Sequence, residues 1–299
     1  MSDPTYVVFN PHSGKGRGAG LVTPVLQALG DGTGPLEHGL TREAGDEGRL
    51  TQEALAKGFR RIVAVGGDGT WSNVANAIIR SGLPATLGLV AGGTGCDLAK
   101  SLGIPRDVRG AAGVIRGGGI RVIDAGRIED RYFLNIAGFG YDVAVLEDSW
   151  KVTYMSGSAL YVYCALRQLR SFPGFRTEME ADGRRQELGE LLMLIVANAR
   201  FFGGTFQIAP KASLEDGQLD VVAFRNMGLL KRLRLMGQLS RGTHEASDDV
   251  ATLRARSYRL HFETPPAYET DGEWNRARSN EVTIESLAGA LRVFAPAMA

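Results

Sequence analysis

The chain has 299 residues, 44% of them hydrophobic and 22% charged, with a formal net charge of +1. That length holds one large domain or two of ordinary size. The near-neutral balance leaves no basic excess to neutralise a run of phosphates, which argues against a nucleic-acid partner. Cys96 and Cys164 stand in unrelated contexts, so a disulfide framework and a zinc site are both disfavoured.

The first part of the chain alternates short apolar runs with helical patterns. "TYVVFN" from Thr5 reads as a buried strand and "GAGLVTPVLQALG" as a helix ending at Gly30. Leu36 to Leu40 reads as a second strand, and "EAGDEGRLTQEALAKGF" as a solvent-facing helix. "RRIVAV" is a third strand, "TWSNVANAIIRSG" a helix, "ATLGLVA" a fourth strand, and "GCDLAKSLG" a short helix closed by Gly103 and Pro105. Strand and helix in turn predict a parallel sheet with helices on its faces, an α/β domain over 1–124. From about Ile123 the texture changes to short alternating runs between turn signals, such as "GQLDVVAF", "SYRLHFET" and "NEVTIES". These predict a mainly antiparallel, β-sandwich-like second domain over 125–285, interrupted by the helices "MSGSALYVYCALRQLRSF" and "MGLLKRLRLMGQLSRG". The N-terminus lacks a basic segment followed by an apolar core, and no apolar run reaches the roughly 18 to 20 residues that cross a bilayer. The expectation is a cytoplasmic protein, able to meet the inner face of a membrane.

Three loops in the first domain follow predicted strands: "NPHSGKGRGAG" from Asn10, "GGDGT" from Gly66 and "AGGTGCDLA" from Ala91. In an open parallel sheet, ligands bind beyond the carboxyl ends of the strands. Glycines let the backbone turn with φ > 0 and approach a ligand closely. A helix that starts straight after such a loop offers unpaired N–H groups to phosphate. One glycine loop alone is equally well an ordinary strand-to-helix turn. Three of them, with Asp68 and Thr70 inside one, point to a polyphosphate site. The pattern is not a Walker A, since no Lys-Ser or Lys-Thr follows the required spacing. Nor is it a dinucleotide fingerprint, because the acidic residue expected at the end of the next strand is missing.

Together, "NPHSGKG", "GGDGT" and "GGTGCDLA" resemble the bacterial diacylglycerol kinase family, which is related to sphingosine kinases. "FLNIAGFGYDV" from Phe133, "APKASLEDGQLDVV" from Ala209 and "TDGEW" from Thr270 are similar to that family's later motifs, in the same order, so the resemblance covers nearly the whole chain. "GGDGT" by itself is shared with NAD kinases and, more loosely, phosphofructokinases. The resemblance implies ATP as co-substrate, with phosphate contacts from Asn10, Pro11, His12, Ser13 and Gly14, from Gly66, Gly67, Asp68, Gly69 and Thr70, and from Thr94. Thr41, in "GLTRE", falls where the family has another nucleotide contact. Asp68 and Asp124 suit a magnesium ion, held directly or through water. Asp97 takes either a metal role or that of a carboxylate favoured at a helix N-terminus.

The resemblance further implies a structural magnesium at the Asp216 side chain and the backbone carbonyls of Ser213 and Gln218. On the residues alone, Asp216-Gly217 is a hairpin turn that needs no metal, and both readings can hold together. A lipid hydroxyl that attacks the γ-phosphate must lose its proton, and the resemblance makes Glu273 the base, with Asp271 orienting it or sharing the task. The residues alone read as an Asp271-Gly272 turn with an exposed glutamate. The site is then expected where the two domains meet. The sequence departs from the family at Cys96, where an asparagine often precedes the aspartate; a small packing residue is the expected role there, since phosphoryl transfer to an alcohol needs no thiol nucleophile.

The reading is therefore an ATP- and Mg2+-dependent lipid kinase, with diacylglycerol the leading acceptor. NAD kinase and a non-catalytic nucleotide-binding regulator are the alternatives. "GALRVFAPA" is expected to return to the first domain as a last strand, completing it with 286–299. "MGLLKRLRLMGQL" puts Leu229, Leu230, Leu233, Met236 and Leu239 near one helical face, with Lys231, Arg232 and Arg234 elsewhere; it either lies on an anionic bilayer or caps the second domain's core. The helix "YMSGSALYVYCALRQLRSF" either lines a groove for acyl chains or packs. His12 could touch phosphate, whereas His38, His244 and His261 are scattered and read as structural or solvated. The oligomeric state stays open, a homodimer included.

Overall fold

The computed structural model describes residues 3–30, 34–43, 45–154 and 157–297. The chain divides into two compact units, Met1–Ala125 with Ala288–Ala299, and Gly126–Leu287.

In the first unit four parallel strands, β1 (Thr5–Phe9), β2 (Leu36–Leu40), β3 (Arg61–Gly66) and β4 (Thr86–Ala91), pair in the order β4–β3–β1–β2. β1, β3 and β4 are almost wholly buried, which is why they read as continuous apolar runs rather than alternating ones. Between them stand a single turn α1 (Ser13–Gly16), then α2 (Val22–Gly30), α3 (Asp46–Ala56) and α4 (Asp68–Ser81); α5 (Asp97–Leu102) and α6 (Val108–Gly117) follow β4. α2 packs on α6, and α3 on α4. α4 begins at Asp68, two residues before the helix that the sequence predicts, so the aspartate opens the helix. Gly82 and Gly103 close α4 and α5 in the left-handed conformation, the common helix stop.

α3 is not the solvent-facing helix expected of "EAGDEGRLTQEALAKGF". Asp46, Glu47, Leu50, Thr51, Ala54 and Leu55 are buried, because its inner face packs on α4; Ala44 lies outside the described residues. α6 is an element that the sequence reading passed over. Its start is marked by Asp107, whose side chain accepts the Gly110 N–H at 2.8 Å, the usual N-cap bond.

The chain enters the second unit within β5 (Ile120–Ile128) and continues through β6 (Arg131–Phe133), β7 (Ile136–Gly140), α7 (Tyr141–Ser149) and α8 (Gly157–Ser171). The predicted start of α8 at Met155 and Ser156 lies outside the described residues. There follow β8 (Phe175–Arg176), β9 (Glu178–Ala181), β10 (Arg184–Gln186), β11 (Glu190–Ala197), β12 (Leu219–Arg225), α9 (Leu229–Leu239), β13 (Val250–Ala255), β14 (Ser257–His261), β15 (Ala267–Thr270), β16 (Glu273–Arg276) and β17 (Glu281–Phe294).

One antiparallel sheet of this unit runs β10–β9–β14–β17, the other β13–β12–β11–β7–β15–β16. Leu194, Val196 and Val221 of the second sheet meet Met179, Tyr258, Leu260 and Ile284 of the first in one core, as face-to-face packing of two sheets requires. The alternate residues Ile195, Ala197 and Val222 point the other way and are covered by Leu169 of α8 and by Leu235 and Leu239 of α9. The last residues of β17 pair in parallel with β4, Arg292 opposite Thr86 and Val293 opposite Leu87.

Candidate active site

The three glycine loops leave β1, β3 and β4 at their carboxyl ends and touch one another. Gly92 and Gly93 both donate to the Gly66 carbonyl, at 2.7 and 3.1 Å. A Cβ on Gly93 would lie 2.6 Å from the Gly67 Cα, and one on Gly14, whose φ is +58°, would overlap the Gly92 carbonyl oxygen. These loops therefore need glycine both for backbone conformation and for closeness.

Polar side chains tie the cluster together. The Asn10 amide donates to Glu47 Oε1 at 3.1 Å and to Thr70 Oγ1 at 3.0 Å, while its oxygen accepts the His12 N–H at 3.0 Å. Thr70 is buried and its hydroxyl also reaches Glu47 Oε1, at 3.4 Å. Glu47 holds two loop residues from the first turn of α3 and was not singled out by the sequence. Thr41 is buried and donates its N–H to the Phe9 carbonyl at 2.9 Å, at the exit of β1. His12 and Thr94 are exposed at the rim, with Pro11, Ser13, Gly14, Gly67 and Gly69 half-buried; the Thr94 carbonyl accepts Arg106 at 3.1 Å.

Asp68 crosses from the second loop to the third. Its Oδ1 accepts the N–H of Asp97 at 2.8 Å and of Leu98 at 3.3 Å, so it caps α5. Burial, and then the negative charge of Asp97, push the Asp68 carboxyl above the usual carboxylate range. A bound cation would relieve that tension, and a carboxylate at the mouth of a phosphate cradle has the hard oxygen donors that Mg2+ takes; Asp68 thus fits a nucleotide-bound metal. Asp97 is paired with Lys100 at 2.9 Å. Asp124, on β5, accepts the Gly289 N–H at 2.7 Å, which ties the end of the chain to this unit. Among the described residues no group of three or more His, Cys, Asp or Glu side chains is placed to hold a metal ion.

Asp216 stands in the turn that the sequence predicts. Its carboxylate accepts the Gln218 N–H at 3.1 Å and lies 3.5 Å from the Arg254 guanidinium, with Ser213 Oγ accepting the Glu215 N–H at 3.3 Å. The turn closes on its own bonds, with Gly217 at φ +68°.

In the second unit the "TDGEW" motif joins β15 to β16. Asp271 is buried, and its two oxygens accept the N–H groups of Leu134, Asn135 and Ile136 at 2.8, 2.8 and 3.1 Å. A carboxylate held by three backbone donors fixes the chain at this turn. Glu273 is exposed at the start of β16. Its neighbour Trp274 donates from its indole to Glu147 Oε1 of α7 at 3.0 Å. Glu147 also lines a pocket of about 500 Å³, walled by Phe139, Phe172, Phe175 and Phe262 and edged by Arg176.

Contiguous glycine loops on a parallel sheet, joined in one chain to an antiparallel sandwich, define a two-domain kinase. Residues 4–128 match the diacylglycerol kinase catalytic domain and residues 135–295 the YegS C-terminal NAD kinase beta sandwich-like domain. A diacylglycerol kinase of Bacillus subtilis is 30% identical, over 90% of this chain and 89% of its own length. A Pseudomonas fluorescens protein named "Probable lipid kinase YegS-like" is 33% identical, over 87% and 86% respectively. In fold, a crystal structure of a diacylglycerol kinase from Bacillus anthracis str. Sterne superposes with a TM-score of 0.77 at 23% identity, covering 99% of this chain and 97% of that one. The chain belongs to the diacylglycerol kinase-like, YegS-like family of lipid kinases, an enzyme family that uses ATP as co-substrate.

Proposed function

We propose that the protein transfers the γ-phosphoryl group of ATP to the hydroxyl of diacylglycerol, giving phosphatidic acid. The first unit is the nucleotide-binding domain, with the loops from Asn10, Gly66 and Ala91 around the phosphates; the second is the lipid domain. The observation that carries this reading is the mutual contact of the three glycine loops, which supports a single anionic cradle rather than three separate turns. Glu273 is the base. As the new O–P bond forms and the bond to ADP breaks, its carboxylate accepts the hydroxyl proton. Mg2+, when bound with the triphosphate, would be held by Asp68 and would neutralise charge on the transferring group. The phenylalanine-walled pocket is within the size range of small-molecule sites. Its aromatic wall beside Glu147, Glu190, Glu263 and Arg176 supports an amphipathic occupant, the acyl chain on the phenylalanines and the polar end of the lipid by the charged rim.

A peripheral membrane contact is part of the proposal. Tyr161, Val162 and Leu166 of α8 and Leu229, Leu230 and Leu233 of α9 are exposed, and the two helices pack together. Such apolar faces beside basic residues suit an anionic bilayer surface.

NAD kinase is the second reading, favoured by the sandwich's match to a domain described as NAD kinase beta sandwich-like. One assay separates the two. Labelled ATP incubated with dispersed lipids, and separately with NAD, is expected to label diacylglycerol and leave NAD untouched; label on NAD alone would reverse the assignment. Glu273→Gln is expected to lower kcat by roughly a hundredfold or more with ATP affinity unchanged. Full activity in that variant removes Glu273 as the base.

A further inference from the structure

Behind the Asp271–Glu273 turn lies a pair of acids that the proposed chemistry does not use. Asp142, in the first turn of α7, and Glu269, on β15, are both buried. Glu269 sits opposite Gly138 of β7 in the ladder, and a Cβ on Gly138 would overlap Asp142 Oδ2; glycine there makes room for the second carboxyl. Among the described residues no well-formed hydrogen bond reaches either Asp142 oxygen or Glu269 Oε1; only the N–H groups of Asp142 and Val143, in the first turn of α7, lie near enough to favour the Asp142 charge. The other oxygen of Glu269 accepts the Gly272 N–H at 2.7 Å, in the middle of the turn that carries Glu273.

Two buried carboxyls facing each other, with too few donors for two charges, favour a proton or a cation between them. Among the described residues no third acidic, histidine or cysteine ligand joins the two to hold a metal. Among the described residues the other charged group acting on the pair is Asp271, also acidic and accepting three backbone N–H groups. The remaining acids of α7 are engaged elsewhere, Glu147 with Trp274 and Asp148 with Arg167 of α8. β7 contributes no titratable side chain, and β11 only Glu190 at its first position. Among the described residues no cationic side chain is paired with either carboxyl.

We propose that Asp142 and Glu269 share a proton and act together as positioning residues for phosphoryl transfer, fixing the Asp271–Glu273 turn through the bond from Gly272 to Glu269. This rests on the reading of Glu273 as the base. The titration agrees with the geometry. Burial pushes Asp142 up to about 7, and burial followed by the charge of Asp142 pushes Glu269 well above the carboxylate range. Both shifts favour the protonated forms, so the pair keeps a proton to higher pH than exposed carboxyls would. Both folded-state values are raised above the unfolded ones, so the stability these groups contribute is complete below the unfolded carboxylate range and is lost as pH rises through the folded values.

The test is Glu269→Gln, whose amide keeps an oxygen for Gly272 and supplies a permanent N–H to Asp142, beside Glu269→Ala, which supplies neither. Thermal unfolding from pH 5 to 10 is expected to show Glu269→Gln gaining on the wild type as pH rises. In lipid phosphorylation, Glu269→Gln is expected to keep kcat at the alkaline end where the wild type falls. Glu269→Ala is expected to lose roughly tenfold to a hundredfold in kcat with the KM for ATP little changed. Parallel melting and kcat profiles for wild type and Glu269→Gln, or full kcat in Glu269→Ala, overturn the proposal. So does retention by the wild type of a divalent cation, by dialysis against Mn2+, that Glu269→Gln fails to retain. A melting difference with no lipid phosphorylated at any pH overturns the proposed function, and the positioning role with it, while the shared proton stands.

Discussion

Asp68 shows how one side chain joins two duties. Its carboxylate caps α5 across 29 residues of sequence, and the same group faces the phosphate cradle. Removing an N-cap acceptor costs about 1 kcal/mol. Asp68→Ala is therefore expected to lower the unfolding free energy by about that amount, read as a lower denaturation midpoint, and Asp68→Asn, which keeps an acceptor, by only a few tenths of a kcal/mol; both are expected to lose phosphoryl transfer. If Asp68→Ala unfolds at the wild-type midpoint, the capping role is wrong. Cys96 stands beside this cap at φ +56°, a left-handed position that asparagine tolerates better than most residues, so the asparagine that the resemblance led one to expect would suit the backbone here. Its thiol is buried, and burial, with the charge of Asp68, pushes it up to about 11, so it stays neutral and packs. The motif acids were readable because they sit among glycines. Glu47 was not, since its burial is decided by Asn10 and Thr70, far away in sequence. The same is true of Asp142 and Glu269, whose only local marks are a glycine-rich strand and a turn.

At the level of elements, the glycines mark where backbone must meet backbone, which makes them legible before any coordinates exist. Gly14 is the sharpest case, because it combines φ +58° with a Cβ position filled by the Gly92 carbonyl. Gly14→Ala is expected to push the first loop off the third and weaken ATP binding about tenfold or more, read by nucleotide titration. Gly16 is the control: its φ is +86° but nothing lies within 4 Å of an added Cβ, so Gly16→Ala carries backbone strain of about 1 kcal/mol and little change in affinity. Equal losses in the two variants would show that loop contact does not matter. The parallel strands were legible because burial on both faces makes them uniformly apolar. α6 was missed because its signal is a single cap, Asp107, close behind Pro105. α7 was missed because the run before it, "FLNIAGFG", is strand-like up to Gly140, whose φ of +101° turns the chain into the helix.

On the scale of the whole molecule, the amphipathic reading of α9 needed revision in a way that bears on how a kinase without a membrane-crossing helix among its described residues reaches a lipid. The sequence placed Leu229, Leu230, Leu233, Met236 and Leu239 near one face. The structure instead buries Arg232, Leu235 and Leu239 and leaves Leu229, Leu230 and Leu233 outside, Leu230 at 83% exposure. Arg232 can turn inward because it donates to the carbonyls of Met227, Leu169 and Phe172 and to Asn226 Oδ1; four acceptors compensate the burial of its charge. The helix thus uses its arginine as an internal tie to the end of α8 and turns leucines outward, the reverse of a helix whose only task is to cover a core. Val162 on α8 is likewise exposed, at 59%, and Arg170 and Arg234 are exposed on the same two helices. The proposed contact with a bilayer surface would give the outward leucines an apolar partner. Leu230→Glu with Val162→Glu, neither of which lines the phenylalanine pocket, is expected to weaken partitioning onto anionic vesicles by roughly a hundredfold in co-sedimentation, as losing two apolar side chains at about 1.5 kcal/mol each would require. Turnover on short-chain diacylglycerol dispersed in detergent should be unchanged. Sedimentation equal to the wild type would mean that this face does not meet the membrane, and equal loss on both substrates would mean that the substitutions damage the fold rather than the docking.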